Sequence, residues 1–172
     1  MLRVMRVSGA YFVFAEDDAH SLYWGRYFGR PLGSAKPKPE DKLSPLKLSK
    51  HEVLYLQERR EIRAYDGDSE VRVPAPRGRQ LLAYRVYKDL RDRGFVVRSG
   101  LKFGATFACY ERGPGIDHAP FLVQVVSADT KLSGIEVIRA GRLSHGIRKN
   151  FVFATADKEK GAVYLTLSWV RA

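Results

Sequence analysis

The hydrophobic pattern changes character near residue 78, and the two halves predict different structures. Leu2–Val7 and Ala10–Phe14 are runs of β-branched and aromatic residues separated by Ser8-Gly9, the pattern of two strands joined by a two-residue hairpin turn. His20 to Phe28 is a Tyr/Trp/Phe-rich piece that the pattern assigns to no element. Arg30 to Pro45 carries prolines at 31, 37, 39 and 45 and is expected to be an irregular surface loop. Ser49 and Glu52 have the spacing of a capping box, and Val53, Leu54 and Leu56 supply apolar contacts, so a helix is expected at about 49–60. A short strand, Ile62 to Tyr65, leads into the turn-forming Asp66, Gly67 and Asp68. The proline-rich stretch from Val71 to Gly78 is extended and reads as a domain linker.

From Arg79 onward, Leu82, Ala83, Val86, Tyr87 and Leu90 form one helical stripe, with Arg85, Lys88, Arg91 and Asp92 expected to lie away from it and Gly94 to end the helix. Strand-like runs follow at Phe95–Val97, Ala105–Tyr110, Phe121–Val126, Phe151–Thr155 and Ala162–Val170, with a second capping box, Ser133 and Glu136, opening a short helix between them. The fold class is α+β: a small N-terminal α/β domain over residues 1–77, with its linker at about 71–78, and a C-terminal mixed β-sheet domain flanked by helices over 78–172. In the last strand Val163, Leu165, Leu167 and Trp169 alternate with Tyr164, Thr166 and Ser168, which suits an internal core strand or a terminal edge strand that pairs with another chain.

Charge adds a partner to this picture. The net charge is +11, divided as +3 over residues 1–77 and +8 over 78–172, so a polyanion is expected to dock mainly on the second half. A solubility charge or a complement to an acidic subunit is the other reading of the same numbers. The single cysteine, Cys109, leaves no intrachain disulfide, and no Cys/His spacing suits zinc. With no signal-like N-terminus and no apolar run near 20 residues, the expected location is cytoplasmic, away from membranes.

Cleaving RNA without a metal takes a base for the ribose 2′-OH proton, an acid for the departing 5′ oxygen and a cation for the doubly charged phosphorane. Tyr110, His118 and Lys149 are residue types able to fill these roles, although each also has a plainer explanation as a half-buried strand aromatic, a turn-capping residue and a solvated helix-end charge.

Their setting carries more weight than their types. Gly104–Tyr110, the loop Glu111–Asp117 leading to His118, Phe121–Val123 and the basic helix Gly141–Lys149 resemble the tRNA-splicing endonuclease family in order and context. The resemblance spans most of residues 79–172, and Leu48–Leu56 looks like that family's N-terminal helix. It implies a restriction-endonuclease-like nuclease fold and a tRNA-intron lyase, free of metal and cofactor. Such an enzyme cuts precursor tRNA at bulge-helix-bulge sites to leave a 2′,3′-cyclic phosphate and a 5′-OH. In that scheme Tyr110 is the general base, His118 the general acid and Lys149 the stabilising cation, while Arg142 holds a flipped bulge base through a cation–π contact. A tyrosine with an ordinary pKa near 10 needs help to act as a base, which a neighbouring Lys149 would supply by favouring phenolate.

Two features depart from the family pattern. Ala119 stands where relatives commonly have a serine after the histidine, which removes a hydroxyl able to orient the ring. The loop Ala156–Gly161 carries two acids and two bases where relatives insert an acidic loop into a neighbouring subunit. The expected assembly is therefore a two-plus-two heterotetramer with a homologous structural subunit, with a homotetramer as the alternative. Rival functions are a metal-dependent nuclease using Asp117 with Asp129 and Lys131, and a noncatalytic RNA-binding subunit of the same assembly.

Overall fold

The computed structural model describes residues 1–34, 36–116, 121–147, 150–157 and 161–167, apart from the side chains of 143–147. It divides into two compact units, Met1–Ala75 and Pro76–Ala172. Among the described residues each unit is a mixed β-sheet with two α-helices, so the chain is α+β.

In the first unit, β1 (Leu2–Val7) and β2 (Ala10–Val13) form the expected hairpin, and its two turn residues, Ser8 and Gly9, both take positive φ, as a right-twisted two-residue turn requires. Helix α1 (Glu16–Arg26) occupies the aromatic-rich piece that the pattern left unassigned. Its N-cap is Ala15, which offers no capping side chain, so the usual start signal is missing. In its place Glu16 accepts the Leu43 and Ser44 N–H groups at 2.7 and 3.0 Å, and these bonds hold the Glu16 carboxyl below its ordinary pKa.

The stretch expected to be irregular contains β3 (Arg30–Pro31), a two-residue strand paired with β4 (Leu46–Leu48), and Pro31 is tolerated there because β3 is a sheet edge. Helix α2 (Lys50–Glu58) begins at the expected box. Ser49 Oγ accepts the Glu52 N–H at 3.3 Å, and Glu52 Oε2 accepts the Ser49 N–H at 2.7 Å. Buried Glu52 also accepts the Gly29 N–H at 2.8 Å through its other oxygen, which ties the end of α1 to the start of α2. Gly29 has φ +76°, and a Cβ there would lie 2.6 Å from Leu46, so only glycine allows the approach. β5 (Ile62–Asp66) runs parallel to β1, and β6 (Ser69–Val71) returns antiparallel. The sheet order is β3-β4-β2-β1-β5-β6.

The second unit opens with α3 (Gly78–Asp92), which ends at Arg93 and Gly94, the latter at φ +92°. Strands β7 (Val96–Ser99), β8 (Phe107–Tyr110), β9 (Phe121–Val125), β10 (Asn150–Asp157) and β11 (Gly161–Leu167) stand in the order β11-β10-β9-β8-β7, with α4 (Gly134–Ile147) between β9 and β10. All adjacent pairs are antiparallel except β9 and β10, whose parallel pairing requires the crossover that α4 provides. Pairing and alternation give the sheet two faces. Phe107, Cys109, Val123, Val152 and Tyr164 lie on the side of α3, with the Tyr87 and Phe107 rings 5.9 Å apart. Ala108, Leu122, Phe151 and Phe153 lie on the other side and cluster with Ala140 of α4.

Two readings of this half need correction. Arg91 does not lie away from the apolar stripe; it is buried, and its Nε donates to Tyr87 Oη at 3.2 Å, one turn back along the helix. The last strand is a sheet edge rather than an internal core strand, with Val163 and Leu165 each more than half exposed. Its opposite face is held down by Tyr164, whose hydroxyl donates to Asp89 of α3 at 2.6 Å.

Candidate functional site

The start of β8, the end opposite Tyr110, is fixed by a tight approach. Gly100 donates to the Thr106 carbonyl at 3.1 Å, and a Cβ on Gly100 would lie 2.7 Å from the Phe107 backbone, so β7 and β8 close only because residue 100 is glycine. These loop bonds also delay the strand, which begins at Phe107 rather than at Ala105. From there Cys109 points towards α3 and is fully buried, while Tyr110, half-buried, packs against the Ala108, Leu122, Ala140, Phe151 and Phe153 cluster on the α4 side. Burial pushes the Cys109 thiol up to about 12, opposed in part by the Arg91 charge, so it stays protonated and unreactive at neutral pH.

Strand register brings together at this end the described residues that flank the other candidates. Cys109 pairs with Phe121, and Phe121 pairs with Asn150, so the last residues of β8 and the first residues of β9 and β10 form one row. Tyr110 follows the first of these along the chain, His118 stands three residues before the second, and Lys149 immediately precedes the third. His118 and Lys149 themselves, with Ala119, lie outside the described residues. Arg142 is exposed on α4, the helix whose Ala140 packs in the same cluster as Tyr110. The second expected capping box opens this helix: Ser133 Oγ accepts the Glu136 N–H at 3.3 Å, and Glu136 Oε2 takes the Ser133 N–H at 2.8 Å, which lowers the Glu136 pKa.

Among the described residues no three His, Cys, Asp or Glu side chains cluster. Asp129 is exposed in a turn closed by Thr130 N–H on the Ser127 carbonyl at 3.0 Å, and Asp117 lies outside the described residues. Of the loop Ala156–Gly161, residues 158–160 are likewise outside them. Not legible in the pattern was buried Arg91, which bonds Tyr87 Oη and lies close enough to Cys109 for its charge to oppose the thiol's rise. The signal was the four-residue spacing that places Arg91 and Tyr87 on one helix face. Among the described residues no helix is long and apolar enough to cross a membrane.

The stretch that holds β7 to β10, with α4 between β9 and β10, falls within the span of one family model. The model for the tRNA intron endonuclease catalytic C-terminal domain matches residues 80–164, and that for its N-terminal domain matches residues 7–75. The chain belongs to the tRNA intron endonuclease family. Tyr110, His118, Arg142 and Lys149 all fall within the catalytic-domain match. Relatives named tRNA-splicing endonuclease cover nearly the whole chain. That of Hyperthermus butylicus is 44% identical over 98% of both chains, and that of Saccharolobus solfataricus is 36% identical over 99% of this chain and all of its own. A third member of the family, from Pyrobaculum islandicum, is 42% identical over 90% of this chain and 91% of its own.

Proposed function

We propose that this chain is the catalytic subunit of a tRNA-intron endonuclease that cuts precursor tRNA at bulge-helix-bulge sites without a metal. The observation that carries the reading is the row Cys109–Phe121–Asn150, which gathers three separate stretches of a chain of this family at one end of one sheet. Tyr110 takes the proton from the ribose 2′-OH at the splice site, and the 2′ oxygen attacks the adjacent phosphorus. Lys149 offsets the charge on the phosphorane. As the bond from phosphorus to the 5′ oxygen breaks, His118 gives that oxygen a proton, leaving a 2′,3′-cyclic phosphate and a 5′-OH. Arg142, exposed on α4, holds a flipped bulge base by cation–π contact. The chain works within a heterotetramer, since its mixed-charge Ala156–Gly161 loop leaves the acidic docking loop to a structural subunit.

The test uses bulge-helix-bulge RNA with the chain alone and with its partner subunit, in excess EDTA. Cleavage should persist with the chelator and fall by about 10²-fold or more in His118→Ala, the scale of a lost general acid. Undiminished cleavage by that variant would overturn the assignment, and abolition by EDTA would overturn the metal-free chemistry.

A further inference from the structure

The register of the N-terminal sheet aligns Arg30, Lys47, Phe12, Met5, Tyr65 and Glu70 in one row across all six strands. Because strand side chains alternate, this row lies on the face opposite Val4, Val13, Leu46, Leu48, Ile62 and Ala64, the buried residues of the same strands. Two residues along the strands, on the row's own face, Arg3 pairs with Arg63. Arg3, Arg30, Lys47 and Arg63 are all exposed, and Glu70 is the one acid among these positions, 3.7 Å from Arg63.

Two cross-strand pairs here, Arg30 with Lys47 and Arg3 with Arg63, set like charges directly opposite each other. Such pairs cost stability in a free sheet, and a bound polyanion removes the cost. Aromatic surface is interleaved with the charge. The Arg3 guanidinium lies 4.5 Å from the centre of the Tyr65 ring, and Phe14, 52% exposed, has its ring 6.0 Å from that of Phe12. Cations spaced along strands with aromatic faces between them suit a sugar-phosphate backbone whose unpaired bases stack.

We propose that this outward face is a second RNA-contact surface, in which Arg3, Arg30, Lys47 and Arg63 meet phosphates and Phe14 stacks a base of the same substrate. The inference rests on the reading of RNA as substrate. It assigns to the first unit a binding role that the net charge had pointed mainly to the second.

The experiment measures binding of precursor tRNA to the assembled enzyme over a salt series, with Lys47→Gln/Arg63→Gln against a control, Lys50→Gln/Arg60→Gln, that removes the same charge elsewhere. The face variant should bind about tenfold more weakly near 0.1 M salt, with a log–log salt slope shallower by about 1.4, two lost contacts at about 0.7 each. Phe14→Ala should cost severalfold in affinity at an unchanged slope, and unchanged affinity would overturn the stacking contact. If the face variant matches the control, or lowers the mass of the assembly while RNA binding holds, the surface is not an RNA site. If the face variant shows the expected slope difference from the control while the unsubstituted assembly binds RNA yet fails to cleave it, the surface stands and the catalytic reading falls.

Discussion

Cys109 and Tyr110 are neighbours in sequence that face opposite sides of a sheet, and their properties diverge accordingly. The thiol, buried beneath α3, titrates only near 12 against 9.0 for an ordinary cysteine. The folded state therefore keeps a proton that the unfolded chain gives up above pH 9. Stability should be flat below pH 9 and fall from there towards 12, by up to about 1.4 kcal/mol per pH unit for this one proton. Tyr164, raised by burial and by its bond to Asp89, adds to the fall above pH 10. Chemical denaturation at stepped pH checks this, and in Cys109→Ala the descent between pH 9 and 10 should vanish. At this scale the sequence was legible only in part. Tyr110 looked like any strand aromatic until its order with Phe121 and Gly141–Lys149 was compared with a family. Arg91 looked like a surface charge because its burial depends on a tyrosine hydroxyl rather than on its own polarity.

At the scale of elements, local signals carried far. Both capping boxes and the Ser8-Gly9 turn form as their spacing requires, because each is satisfied within four residues. What stayed hidden depends on distant chain: α1 without a capping side chain, β3 defined only by its pairing to β4, and the position of β11 at an edge. The basic row of the N-terminal sheet is the extreme case, since its six members come from six strands and no window along the sequence contains them. Glu52 joins the two kinds of signal, because one oxygen serves its own helix and the other a backbone amide 23 residues away. Glu52→Ala leaves both N–H groups without their charged acceptor and should destabilise the protein by about 2–4 kcal/mol, measured by urea denaturation.

For the whole molecule, the two compact units, Met1–Ala75 and Pro76–Ala172, correspond to the two family models. Among the described residues Val163 and Leu165 leave apolar surface exposed on an edge strand, the kind of surface that can pair with a further strand. The expected mass of the purified chain by light scattering is below that of a tetramer, rising to a tetramer of two-plus-two composition when a structural subunit is added. A tetramer of this chain alone would overturn the heteromeric reading. The lone thiol then gains a use beyond its chemistry. Sealed under α3 and next to Tyr110, Cys109 reacts with an external reagent only when the C-terminal unit opens, so its labelling rate reports the free energy of that opening in the native protein. RNA that binds the closed form should slow the labelling in proportion to its occupancy, giving a readout of substrate engagement that requires no cleavage.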